Sequence, residues 1–403
     1  MTQDKYKIDI FAGNEVSWGL IADWELFRSA NPKLRSPYFG DKFFMSIKDV
    51  VPSAYLAVIR EQDKIMGYFP FQVRGNVVQS LGTPLTDYQA IICAQELDID
   101  MISVLQKHGE ARFEFNGWIG KGVGNTNHLV AHAYHADIRD GFDSYFAARK
   151  SQNPSFFKSF QRRARALAKD VGEVHCQIGV ATSNDVDKVV TLKRTQYKQK
   201  GTYDVFDCGW TLQLLYSIAE NSNQEFGLQF AYLKIKDQLI ACELFLIDGD
   251  YAHSWFPAYD ADFAKYSPGH ILTMKIIEKL AAIGVTTLDF GIGYEKYKES
   301  LATQGDLCLE GAYSSHAPMA KAIIELATSI SPELAAILSR YRNSIYRRRR
   351  IITACEPTGL GRLSATFKML NRLATRFHAN FIIFVNFAIA ELSLYSAQFF
   401  AIA

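Results

Sequence analysis

The chain has 403 residues, 48% hydrophobic and 21% charged, a balance that excludes large-scale disorder. At roughly 150 residues per domain this length suggests two or three domains. A net charge of +2 argues against a general nucleic-acid binder.

Met1 to Phe11 carries Asp4, Lys5, Lys7 and Asp9 and lacks the apolar stretch of a signal peptide. Trp18, Ile21, Ala22 and Leu26 follow at helical spacing, which predicts a helix over Val16–Ala30. Pro32 and Pro37 break the chain. Strands are predicted at Ala54–Arg60 and Ile65–Val73, joined as a hairpin, and then at Val77–Leu81 and Tyr88–Cys93. Ile99–His108 reads as a helix and Ala111–Phe115 as a strand. Gly117, Gly120, Gly122 and Gly124 mark a loop. No strand-to-helix context there supports a phosphate cradle.

The second half starts near Ser144. Phe156–Lys169 is a basic helix, Glu173–Ile178 a strand, and Asp185–Gln199 a helix with Ser183 and Asn184 as cap candidates. A helix at Thr211–Asn221 leads into a meander: Gly227–Ile235, Gln238–Ile247 and Asp250–Tyr259. Asp248-Gly249 is the stronger of its two turn signals. After a loop, Asp260–Gly269, a helix is predicted at Ile271–Ile283, with Leu272, Ile276, Leu280 and Ile283 on one stripe. Gly284 stops it. A strand, Val285–Phe290, and a short helix, Tyr294–Leu301, complete this half. Both halves read as strand meanders flanked by helices, which hints at a duplicated α+β unit.

The tail differs. Glu333–Tyr346 reads as helix, Arg347 to Arg350 is a run of like charge, and Phe381–Ala403 is strongly apolar around Asn386, Glu391 and Gln398. That last segment is long enough to span a bilayer, to lie on its surface, or to pack on the protein. The expected domains are residues 1–143, 144–320 and 321–403.

The six cysteines, Cys93, Cys176, Cys208, Cys242, Cys308 and Cys355, show neither C-x-x-C nor zinc-ligand spacing. Reduced thiols, a cytoplasmic setting and no metal are expected. The chemistry concentrates between Tyr251 and Thr303. A helix that opens directly after Pro268-Gly269 presents backbone N–H groups and a positive dipole end, which suit an anion such as a phosphate. A simple turn before a helix is the plainer reading. No G-x-S-x-G elbow or H-E-x-x-H pattern is present.

The run Ser267-Pro268-Gly269-His270-Ile271-Leu272, then Leu288-Asp289-Phe290-Gly291-Ile292-Gly293, then Tyr297-Lys298 resembles the GNAT acyltransferases of the CelD-like, cellulose-biosynthesis group. These are related to the FemAB peptidyltransferases. Ser36 to Phe39, Leu81-Gly82-Thr83, Asp87-Tyr88, Phe156-Phe157-Lys158 and Arg162-Arg163 extend the resemblance across about residues 10–310. It implies tandem GNAT-like α+β domains with largely antiparallel mixed sheets, plus a helical C-terminal extension. It also implies acyl transfer from acetyl-coenzyme A or another acyl-coenzyme A to an amine or hydroxyl, on a small-molecule or saccharide acceptor such as a surface-polymer precursor.

By that resemblance, Ser267, Gly269, His270 and Ile271 receive the coenzyme A pyrophosphate. Pro268 removes one N–H donor from this loop. Acyl transfer also needs a base, an oxyanion donor and an acid. His253 and Glu243 are candidate bases, and Asp289 can orient a base or hold the acceptor. Tyr297 is the candidate acid. Tyr294, Lys298, Arg162 and Arg163 are candidate contacts to substrate. Each has a bland alternative: a strand histidine, a turn aspartate, core tyrosines, solvated cations. Aminoacyl transfer from charged tRNA, or a non-catalytic module recruited to the inner face of the membrane, stay open as functions.

Overall fold

The computed structural model describes residues 5–101, 104–105, 112–123, 128–293, 295–314, 347–356 and 358–376. The chain divides into two compact units, residues 1–200 with 204–313, and residues 201–203 with 314–403.

The larger unit is built on one twelve-stranded sheet. Its strands are β1 (Lys7–Ala12), β2 (Ala54–Glu61), β3 (Lys64–Arg74), β4 (Val77–Ser80), β5 (Arg112–Trp118), β6 (His128–Asp137), β7 (His175–Val180), β8 (Phe226–Ile235), β9 (Gln238–Asp248), β10 (Tyr251–Tyr259), β11 (Thr287–Ile292) and β12 (Gln304–Ser314). The helices are α1 (Trp24–Ala30), α2 (Asp41–Ile47), α3 (Phe142–Gln152), α4 (Pro154–Asp170), α5 (Ser183–Lys200), α6 (Trp210–Glu220), α7 (Pro268–Ala282) and α8 (Lys296–Leu301).

Each half of the sheet repeats one plan. Strands β1 to β4 form an antiparallel meander, and β5 then runs parallel to β4. Strands β7 to β10 form a second meander, and β11 runs parallel to β10. The strand that closes each half is exchanged. β6 follows β5 in the chain but pairs with β11, and β12 lies between β5 and β6. The exchange makes one continuous sheet and sets His135 of β6 opposite Asp289 of β11.

The apolar stripe of α7 packs as its periodicity predicts. Leu272, Ile276 and Leu280 are buried against Phe245, Ile247 and Leu288 of the sheet. Ile283, assigned to the same stripe, is 67% exposed because the helix has ended at Ala282 and the chain is already turning toward Gly284. In the first half, Phe69, Phe113, Phe115 and Trp118 form the corresponding core.

Several elements differ from the sequence reading. The helix expected over Val16–Ala30 is confined to Trp24–Ala30, preceded by a 3₁₀ turn at Gly13–Glu15 and irregular chain. Its expected apolar face is largely wrong: Trp18 and Leu26 are exposed, whereas Trp24 is fully buried. Trp24 stacks between Phe44 and Tyr68 and donates its indole N–H to the Phe39 carbonyl at 2.8 Å. Tyr88–Cys93 is not a strand; isolated bridges hold Ile92 to Tyr68 and Gln89 to Trp118. Thr182, rather than Ser183 or Asn184, caps α5, exchanging hydrogen bonds with Asp185 in both directions. The loop expected at Asp260–Gly269 holds a 3₁₀ turn, Ala261–Tyr266, and α7 starts at Pro268. Strands β1, β6 and β12 have no counterpart in that reading. β6 and β12 carry Ala, Gly, Asp and His where an apolar run would mark a strand, and sheet neighbours on both sides hold them.

In the second unit, residues 347–355, which include Arg347 to Arg350, are helical (α9), followed by α10 (Gly359–Arg376). Tyr203 donates to Glu356 at 2.8 Å. Leu360, Leu363 and Phe367 are exposed on α10. No helix among the described residues is long and apolar enough to cross a membrane. The helix expected at Glu333–Tyr346 and the apolar segment Phe381–Ala403 lie outside the described residues.

Trp24→Ala removes a fully buried ring and its hydrogen bond, and is expected to cost about 3–5 kcal/mol. Urea unfolding of the full chain measures this as a lower midpoint; an unchanged midpoint removes Trp24 as an anchor of the first half.

Candidate active site

Two local features converge where β10 and β11 meet. The first is a short parallel pairing. Tyr251, Ala252 and His253 pair with Thr287, Leu288 and Asp289, and there the pairing stops. Beyond it β10 bulges against β9 between Ser254 and Phe256, and β11 shifts against β6 between Asp289 and Ile292. Bulges bend a strand away from its neighbour, so the two strands diverge and leave a gap.

The second feature is the start of α7. Ser267 adopts the left-handed conformation (φ 52°, ψ 56°) and sits at the helix N-cap, with Pro268 in the first turn. Arg163 of α4 donates to the Ser267 hydroxyl at 2.6 Å. The next residues face both diverging strands. A Cβ on Gly269 would lie 3.8 Å from the ring of Tyr259, at the end of β10. The His270 ring lies 5.2 Å from that of Tyr297, which follows β11. Ile271 turns into the core. Burial, with Arg163 nearby, holds His270 below the usual imidazole range.

Glu243 of β9 stands beside the gap, opposite Pro257 of β10. It is 2% exposed and accepts a hydrogen bond from the Ser254 hydroxyl. Burial pushes its carboxyl up to about 7, against the opposing pull of Ser254, Lys193, His253 and Lys298. Lys193 of α5 responds in kind: burial brings its ammonium down to about 8, with Glu243 pulling the other way. Burial and the Glu243 charge both raise the Tyr297 phenol. Lys298 is buried and donates to the Ile292 carbonyl at 3.0 Å, with Glu295 at 3.4 Å.

His253 and Asp289 are a directly paired register position, and both side chains are fully buried. Asp289 lies 3.1 Å from one imidazole nitrogen and Asp87 3.4 Å from the other. These are ion-pair contacts without aligned hydrogen-bond geometry. Burial alone would lower the imidazole, but the two carboxylates raise it to about 9. Asp289 is held below the usual carboxylate range: burial opposes this, and the His253 charge with the Gly291 N–H outweighs it. Tyr88 and Tyr251 also donate to Asp289, at 3.0 and 3.2 Å. Gly291 passes this cluster at φ 72°, and a Cβ there would sit 2.3 Å from Asp87. Only glycine fits such an approach.

The structure thus groups Glu243, Tyr297, Lys298, Ser267, Gly269, His270 and Arg163 around the gap, with His253 and Asp289 at its closed end. Arg162 stands apart, exposed on α4. Tyr294 lies outside the described residues. Sequence reasoning missed Lys193, Ser254, Tyr251 and His135 as members of the cluster, and it placed Asp87-Tyr88 only by resemblance. Tyr251 stands two residues before His253 on a strand, which puts both on one face; that signal was readable. Among the described residues no group of side chains has the makings of a metal site.

Residues 155–299 match the family described as "Acetyltransferase (GNAT) domain". The fold is α+β, one mixed sheet flanked by helices, with the GNAT match in its second half. The GNAT match covers α4 through most of α8 and so contains the gap, Glu243 and the start of α7. Among solved structures, similarity extends to a conserved protein of unknown function from Bacteroides thetaiotaomicron (TM-score 0.47, 11% identity, 75% of this chain and 100% of that one). FemX matches with a TM-score of 0.45 at 10% identity, over 78% of this chain and 99% of its own. A tandem GNAT protein from the clavulanic acid biosynthesis pathway matches at 0.43 and 9% identity, over 77% and 98%. No curated protein matches the sequence.

The raised His253 group contributes stability that is fully present below about pH 6.5 and is lost as pH rises through about 9. His253→Gln leaves Asp289 buried without its cation, so a loss of about 3–5 kcal/mol is expected at neutral pH. The variant should also lose less stability than the parent between pH 7 and 10. Denaturant unfolding across that range checks both; parallel slopes would show that the imidazole carries no charge in the fold.

Proposed function

We propose that the second half is an acyltransferase that moves an acyl group from acyl-coenzyme A to an amine or hydroxyl. The observation that carries this reading is the opened parallel pair with a buried carboxyl beside it. The gap between β10 and β11 suits an extended thioester arm, and the start of α7, backed by Arg163 on Ser267, suits the pyrophosphate. The acceptor attacks the thioester carbon, the C–S bond breaks, the acceptor's proton passes to Glu243, and Tyr297 supplies a proton to the departing thiolate. Glu243 suits the base because its carboxyl exchanges a proton near neutrality. His253 suits it less, since two carboxylates already hold its proton. His253 and Asp289 instead brace the closed end of the gap. The resemblance to the CelD-like group supports a surface-polymer precursor as acceptor.

Calorimetric titration of acetyl-coenzyme A into the full chain is expected to show one saturable site. Gly269→Trp should abolish it, because a Cβ there meets nothing nearer than Tyr259 at 3.8 Å and the indole beyond it fills the space at the helix start. Once an acceptor is found by thiol release, kcat/KM should rise with pH through about 7 as Glu243 ionises. Glu243→Gln should lower it about 10²–10⁴-fold and remove that limb. Binding that survives Gly269→Trp places the donor elsewhere, and an unchanged pH limb removes Glu243 as the base.

We also propose that the second unit meets an anionic membrane surface. Support comes from its arginine-rich α9 and the exposed Leu360, Leu363 and Phe367 of α10. Co-sedimentation with phosphatidylglycerol vesicles should exceed that with phosphatidylcholine vesicles, and Leu363→Glu with Phe367→Glu should abolish it. Equal sedimentation by the parent and the double variant would rule this out.

A further inference from the structure

A cavity of about 130 Å³ lies at the end of the β10–β11 pairing away from the gap. Arg35, Ser36, Tyr88, His135, Tyr251 and Asp306 contribute to its lining. A 150 Å³ cavity can hold benzene, so this one has room for a ligand group of about six non-hydrogen atoms.

Counting donors and acceptors decides what such a group must offer. The donors of Arg35, Lys33, Tyr88 and Tyr251 in the lining have partners. Arg35 donates to Asp250 at 2.9 Å and to Thr286 at 3.0 Å. Lys33, which also lines the cavity, is paired with Glu96 at 2.8 Å. The Tyr88 hydroxyl donates to Asp289. Tyr251 has one hydroxyl proton, and the ionised Asp289 accepts it at 3.2 Å. Its oxygen also contacts His135 Nδ1 at 3.0 Å. With the tyrosine proton committed, Nδ1–H must be the donor in that contact. In its uncharged form His135 then turns a lone pair outward on Nε2.

That nitrogen is buried, in a residue 7% exposed, and has no hydrogen-bond partner. The Asp306 carboxylate stands 3.5 Å from it and is otherwise open to solvent. Ser36 Oγ is likewise buried without a partner. Two acceptors facing each other at this separation repel unless a donor touches both. The unmet capacity at His135 Nε2 and Asp306 is for N–H donors and positive charge, and the Ser36 hydroxyl can serve as donor or acceptor.

We propose that this cavity is a binding site for a small organic cation, held through its ammonium group, with His135 Nε2 and Asp306 accepting two of its N–H bonds. The Tyr251–Asp289 link sets His135 in the accepting tautomer. The site is separate from the gap and stands whether or not the gap takes an acyl thioester.

The test uses the full chain without acyl-coenzyme A and three probes of similar size: ethanolamine, ethylene glycol and glycolate. Nitrogen-15 spectra of the histidines at mildly alkaline pH should show His135 protonated at Nδ1 only, and Tyr251→Phe should remove that preference. Ethanolamine should bind saturably and shift Nε2, ethylene glycol should bind at least tenfold more weakly, and glycolate should not bind. Asp306→Asn changes an exposed side chain and should weaken ethanolamine about tenfold or more. A proton on Nε2 in the free protein would overturn the proposal. So would glycolate binding at this position, the absence of saturable ethanolamine binding, or ethanolamine binding unaffected by both Asp306→Asn and His135→Gln. Acetyl-coenzyme A titration of the same protein judges the acyltransferase reading separately.

Discussion

The buried contact between His253 and Asp289 sits where the two parallel strands are still paired, one register step before they part. Burying either group alone would be costly, because an unpaired charge in a low-dielectric interior has no compensation. Together, with Asp87 on the far side of the ring and two tyrosine hydroxyls on Asp289, they form a closed polar knot in an apolar sheet. The knot ties β10 to β11 on one side and, through Asp87 and Tyr88, ties the first half of the chain to the second. Gly291 is the backbone concession that lets the knot close.

What surrounds the knot follows from where the pairing stops. On one side the strands diverge, and the space between them meets the start of α7, Glu243 and Tyr297. On the other side lies the cavity whose wall includes Tyr251 and His135. Donors and carboxylates are thus distributed around a single structural element, and the charge on Asp289 is felt on both sides. Glu243, by contrast, has Ser254 as its hydrogen-bond donor and two lysines at longer range, which do not outweigh burial, so its carboxyl is raised to about 7. One fully buried carboxylate is kept ionised and another is poised near neutrality, because their immediate partners differ.

The exchange of closing strands is the architectural condition for this arrangement. β6 carries His135 from the first half across to β11 of the second. Without the exchange, a histidine about 150 residues upstream of Asp289 would have no reason to share its surroundings. The same exchange turns two meanders of modest size into one sheet with, among the described residues, β1 and β7 at its edges, which leaves fewer unpaired strand edges open to other chains.

Much of this was readable from residue order. The second meander, the helix after Pro268-Gly269 and the stripe Leu272, Ile276, Leu280 follow from local periodicity and turn chemistry, which depend on near neighbours in the chain. Glu243, His253, Asp289 and Tyr297 stood out as chemically capable groups for the same reason. Their relations did not. That His253 is clamped between two carboxylates, that Lys193 answers Glu243, and that Tyr251 sets the tautomer of His135 all depend on strand register and on exchanged strands. Strands such as β6 and β12 carry too little apolar pattern to announce themselves, because their stability comes from neighbours far away in sequence. Sequence by itself determined which segments could be helix or meander and which side chains could do chemistry. Tertiary structure decided which of them share a dielectric, since burial and pairing are properties of the packed sheet and not of the chain order.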